Sequence, residues 1–107
     1  MVIKMKLLTI DYVPGKEIEY LGLVHAGMVQ SKHIGKDIAA SFKTLVGGEL
    51  FGYTEMMNES RAMATKRIVE QAEKLGADAI IGLRYVSAAI TQGAAEVVAY
   101  GTAIKIK

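Results

Sequence analysis

The chain has 107 residues, 51% of them hydrophobic and 22% charged, with a formal net charge of +2. That length makes one domain that buries about two-thirds of the surface its unfolded form exposes, and the apolar content with a single proline excludes a disordered chain. The absence of cysteine removes disulfide frameworks, thiolate metal clusters and cysteine nucleophiles from consideration.

The first predicted element is a strand. Ile3, Met5 and Leu7 alternate with Lys4 and Lys6, the period of a strand with one wet face. The same lysines interrupt the apolar run from Met1 to Ile10, which argues against a signal peptide, and no stretch nears the ~20 apolar residues of a membrane span. A cytoplasmic protein is expected. Val13-Pro14-Gly15-Lys16 carries a type II turn signal, proline at the first central position and glycine at the second, so the opening strand should fold back as a hairpin. Its second strand, from about Ile18 to Gln30, is uncharged from Tyr20 onward, with Gly22 and Gly27 inviting a bulge or a close backbone approach.

From Ser31 the period becomes helical. Ser31 suits an N-cap, and Ile34, Ile38, Phe42 and Leu45 recur at helical spacing until Gly47-Gly48 ends the helix. A second helix spans about Thr54 to Leu75, with Gly76 as its C-terminal cap. Its core-facing stripe is Tyr53, Met57, Ala64, Ile68, Ala72 and Leu75. The last third alternates again. Ile81, Leu83 and Tyr85 share one side of a third strand, Thr91-Gln92-Gly93 is a turn, and Val98, Tyr100, Thr102, Ile104 and Ile106 share one side of a fourth. The expected architecture is a single α+β domain over residues 1–107, in the order β-β-α-α-β-β, with helices on one face of a mainly antiparallel sheet.

Two elements carry more apolar surface than a monomer of this kind needs. The long helix has Met56 and Met63 beside its main stripe and Ala62 and Val69 on a third side, while the fourth strand's other face is Val97, Ala99, Gly101 and Ala103. A homo-oligomer whose subunits cover those faces accounts for both, with Met56 or Met63 at a contact.

The chemistry-bearing residues are sparse. His25 and His33 are separated by no recognised ligand spacing, so one packed and one surface histidine is the simpler expectation, and no metal site is assigned within a subunit. Glu55 and Glu59 lie one helical turn apart without a neighbouring nucleophile. Gly47-Gly48-Glu49 and Gly52 could hold an anion before a helix, but no phosphate-loop or dinucleotide motif accompanies them. Lys4, Lys6, Lys105 and Lys107 form at most a basic strip at the strand ends. With a small net charge and no interleaved aromatics, neither nucleic acid nor a membrane is expected as a partner.

Three blocks carry a resemblance: Thr44-Leu-Val-Gly-Gly-Glu-Leu-Phe-Gly-Tyr-Thr-Glu-Met-Met57 followed by Arg61, then Leu75-Gly-Ala-Asp-Ala-Ile-Ile-Gly82, then Glu96-Val-Val-Ala-Tyr-Gly-Thr-Ala103. In this order and separation they resemble the YbjQ-like family, nearly over the full length. The resemblance implies a subunit similar in shape to dodecin subunits, assembled as a pentamer or two stacked pentamers. It also brings a heavy-metal-binding label, which suits a chain without thiolates poorly, and this chain has Gly35 where the family pattern places an aromatic. The shared polar residues Glu49, Tyr53, Arg61 and Asp78 are the candidate ligand contacts. The expected function is a non-catalytic binding or scaffold ring, without a resident cofactor, holding a small ligand or metal between subunits. The alternative is an enzyme with a composite inter-subunit site built from Glu49, Glu55, Arg61 and Asp78.

Overall fold

The computed structural model describes residues 5–31, 51–91 and 94–107. In chain order the described elements are β1 (Lys6–Leu7), β2 (Ile18–Ser31), α1 (Phe51–Lys74), β3 (Ala79–Thr91) and β4 (Ala94–Ile106). They form an α+β unit in which α1 covers one face of a four-stranded sheet of order β1-β3-β4-β2. The expected first helix, with its Gly47-Gly48 end, lies outside the described residues, and Ser31 is the last residue of β2.

The opening hairpin does not form. Lys6 and Leu7 pair in parallel with Ala79 and Ile80 of β3, so β1 and β2 occupy opposite edges and the sheet is mixed, not wholly antiparallel. The turn itself is as expected. Lys16 N donates to Val13 O at 3.4 Å and Gly15 has φ +71°, the type II geometry its residues favour. What the turn signal does not specify is a partner strand. After β1 the chain runs on beside β3, with Leu8 N donating to Ile80 O at 2.9 Å and Gly82 N to Ile10 O at 2.7 Å, and only then crosses to β2.

This crossing covers the lower part of the sheet face opposite α1. Leu8 and Val13 from the connection pack with Ala79, Ile81, Ile104, Ile18 and Ile106 in a small second core. The main core lies under α1, where Ala64, Ile68, Val69 and Ala72 meet Val24, Ala26, Ile80, Leu83, Val97, Ala99 and Ala103. The sheet faces are therefore the reverse of the sequence reading. Val97, Ala99, Gly101 and Ala103 are small because the helix lies on them, not because another subunit does, and Gly101 is where β3 comes closest. A Cβ there would sit 2.7 Å from Ile80 Cγ2 and 3.0 Å from Ile81 O.

The helix stripe is likewise rotated. Met56, Ala64, Ile68, Val69 and Ala72 are buried, whereas Met57 is half-buried and Leu75 is exposed. Met56 is fully buried in its own chain and is not available as a subunit contact, while Met63 is exposed. Two bulges explain the misread strands. One at Leu21-Gly22 shifts β2 against β4, and Gly22 has φ +130°. Another at Gly82-Leu83, with Gly82 at φ +61°, puts Ile81 and Leu83 on opposite faces, so alternation fails where an extra residue enters the ladder.

The end of α1 agrees with expectation. Gly76 has φ +79°, its N–H donates to Glu73 O at 3.0 Å, and Ala77 N donates to Ala72 O at 3.0 Å. This is the Schellman arrangement, with Ala77 packed against the main core. Lys105 Nζ also donates to Gly76 O at 3.4 Å, so this lysine serves the helix end, and cross-strand it faces Glu19 rather than a basic strip.

Candidate ligand site on the open sheet face

Above the crossing connection the face opposite α1 is open. Strand register fixes which side chains share it, because directly paired residues project to the same side. One row across three strands is His25, Tyr100 and Arg84. Leu23 and Thr102 lie below this row, and Gly27, Val98 and Val86 above it. Leu23 is 69% exposed, Val86 52% and Tyr100 38%, so an apolar surface surrounds a phenol, an imidazole and a guanidinium. His25 is exposed as well, and His33, the other of the expected packed and surface pair, lies outside the described residues.

The backbone around the row is held from both sides. Gln71 on α1 reaches the outer edge of β2, where its Oε1 accepts from His25 N at 3.2 Å and its Nε2 donates to His25 O at 2.6 Å. Arg84 is anchored through one nitrogen, as Nη1 donates to Thr9 O at 2.9 Å and to Leu83 O at 3.2 Å. Among the described residues no acceptor is seen for its remaining guanidinium donors, which suit an anionic oxygen. Together the three side chains can bind an anion with a flat or apolar body: the guanidinium supplies charge, Tyr100 and His25 supply ring faces and hydrogen bonds.

The sequence-predicted contacts do not converge. Glu49 lies outside the described residues, and of Tyr53 only the helical backbone is described. Arg61 is exposed and its Nη2 donates to Asn58 Oδ1. Asp78 is beyond the other end of the helix, about 20 Å along the axis at 1.5 Å per residue. Asp78 Oδ2 accepts from Ile106 N at 2.8 Å and Asp78 N donates to Ile104 O at 2.8 Å, where the chain turns into β3. Asp78 also lines a hollow of about 220 Å³ with Met5, Glu73 and Ala77, small for an organic ligand. The row that register does assemble was missed because Arg84 and Tyr100 are unremarkable in sequence until the bulge at Gly82-Leu83 aligns them.

The chain matches the model of the YbjQ family, described as "Putative heavy-metal-binding", over residues 5–107. It is 59% identical to a UPF0145 protein of Fervidobacterium nodosum over 96% of each chain. It is 58% identical to one of Clostridium novyi, covering 95% of this chain and 99% of that one. A solved structure from Pediococcus pentosaceus, a protein with unknown function of the DUF74 family, shares the fold with TM-score 0.75 at 20% identity, over 96% of this chain and 98% of that one.

The donor set can be tested against the metal in that description. The chain has no thiolate, and among the described residues no three of His, Asp and Glu are grouped to hold an ion. His25, the one described imidazole, shares its row with the Arg84 cation, which opposes a second positive charge. Among the described residues, no grouping of His, Asp and Glu suits a metal ion. Matched by that model from residue 5 to its last residue and more than half identical to relatives over nearly their whole length, the chain belongs to the YbjQ family.

Proposed function

We propose that the protein is a non-catalytic, cytoplasmic binding module that works as a homo-oligomeric ring and holds a small anionic ligand between subunits. The observation that carries this reading is the open sheet face, where Leu23, Val86 and Tyr100 stand exposed around His25 and Arg84. A solvated sheet face ordinarily alternates to polar residues. An apolar face with a cation and two hydrogen-bonding rings at its centre suits a surface that another subunit closes over, with the ligand in the seam. The resemblance noted in the sequence supplies the expectation of five subunits or two stacked sets of five. No helix among the described residues is long and apolar enough to cross a membrane.

The test is native mass spectrometry of the protein purified from its host, which reads subunit number and retained mass together. A multi-subunit ion carrying a small acidic molecule, lost in Arg84→Gln, supports the reading. A monomer without added mass at micromolar concentration overturns it.

A further inference from the structure

The far end of β2 is tied to α1 by a short relay of side chains. Gln30 lies on the helix side of the sheet, with Ala95 as its register partner. Its Nε2 donates to Glu59 Oε2 at 3.2 Å, which holds the amide with Oε1 turned toward Ser60. Glu59 is exposed, whereas Ser60 is 1% exposed, so the amide spans from water to the core beside the fully buried Met56.

Hydrogens and acceptors do not match in this arrangement. Ser60 Oγ stands 2.8 Å from Gln30 Oε1 and 2.8 Å from Met56 O, both of which only accept. A hydroxyl has a single hydrogen to give. While Glu59 is ionised, Gln30 must face it with Nε2, because Oε1 in that place would meet another acceptor. Oε1 is then left at the buried hydroxyl, Ser60 turns its hydrogen toward it, and Met56 O keeps only the backbone donor of the helical ladder. A proton on Glu59 removes the conflict. The carboxyl donates to Gln30 Oε1, the inverted amide donates from Nε2 to Ser60 Oγ, and Ser60 donates to Met56 O. Every donor then meets its own acceptor, and the relay gains a hydrogen bond over the ionised form.

We infer that Glu59, Gln30 and Ser60 form a proton-operated switch, in which protonation of the surface carboxylate inverts the Gln30 amide and moves the Ser60 hydrogen onto Met56 O. The consequence falls on α1. A serine bonded back to the carbonyl four residues earlier bends a helix, and this turn carries Met56, one of the largest fully buried side chains. Among the described residues, the ionisable groups near Glu59 are Glu55, one helical turn earlier, and Arg61, whose Nη2 donates to Asn58 Oδ1. The helix-side strand residues around Gln30 carry no charge: Met28 on β2, Ala95 and Val97 on β4, Ser87 and Ala89 on β3.

Glu59→Gln supplies an N–H donor in place of the protonated carboxyl at neutral pH and leaves Glu55 and Arg61 as they are. The readout is nuclear magnetic resonance of the Met56 carbonyl carbon and the Gln30 side-chain amide. In the native protein both should shift in a single step on acidification, with the same midpoint as the Glu59 carboxyl carbon. In Glu59→Gln both should stand at the acid-form position already at neutral pH and show no step. Gln30→Met keeps the length and removes the amide, and there Met56 should no longer follow Glu59. A Met56 carbonyl that stays still while Glu59 titrates overturns the switch, and so does a Met56 step that survives in Gln30→Met. If acid unfolds the chain, the neutral comparison decides, and Gln30 and Met56 shifts in Glu59→Gln equal to the native ones overturn it.

Discussion

At the scale of single residues, glycines decide the most. Gly76 has open space where a Cβ would stand, so Gly76→Val tests backbone strain alone. A β-branched residue at φ +79° should lose about 1–2 kcal/mol, read as a lower urea midpoint at unchanged slope. Gly101 is the opposite case, with an ordinary backbone and no room. Gly101→Ala should lose about 1–3 kcal/mol through overpacking against Ile80 and the β3 backbone, while Gly27→Ala, whose nearest neighbour would be Val98 Cγ2 at 3.5 Å, should be close to neutral. Paired urea titrations check both. The Gly76 cap was legible in sequence because glycine after a periodic run has a local meaning. The Gly101 contact was not, because its crowding comes from Ile80, Ile81 and Leu83 on another strand.

Elements were legible as far as their own periodicity reached. The third and fourth strands, Ala79–Thr91 and Ala94–Ile106, run longer than the alternations from Ile81 to Tyr85 and from Val98 to Ile106, whereas the long helix, the Pro14-Gly15 turn and the extent of the second strand follow from local pattern. Which face they bury does not, since a bulge at Gly82 or Gly22 inverts alternation without a warning in composition. The same limit hid the side-chain closure of β2. Gln71 and His25 are 46 residues apart and nothing local couples them. Gln71→Leu keeps the volume and removes both hydrogen bonds, and it should destabilise by about 1 kcal/mol. The amide of His25 should then exchange faster by roughly tenfold or more, seen by hydrogen exchange with residue resolution, while the amide of Ile68 should be unaffected.

For the whole molecule, a sequence reading found the α+β class and the family but placed the surplus apolar surface on the wrong side of the sheet. Small residues under a helix and small residues at an interface look alike in sequence. Within one chain α1 holds Arg61 and Asp78 apart, while His25, Tyr100 and Arg84 meet only through strand register. The donor chemistry yields a prediction at this scale. Calorimetry with zinc should show no tight binding of one ion per chain that His25→Ala abolishes, because the imidazole's row neighbours are a phenol and a cation.

The parallel pairing of β1 with β3 has a kinetic consequence. Lys6 and Ala79 are 73 positions apart, yet they are direct partners, whereas β3 and β4 close on each other across Thr91 and Ala94. Loop closure over the longer span is the costlier event, so the local hairpin should form early and β1 should dock last. Leu7→Ala should therefore leave the folding rate nearly unchanged and speed unfolding, whereas Val97→Ala in β4 should slow folding, as measured by the two limbs of a denaturant chevron. Until that late docking, residues made first wait on residues made near the end. The start of the β3 edge, which β1 comes to cover, is open during this interval, and a newly synthesised chain is then most open to joining the wrong neighbour.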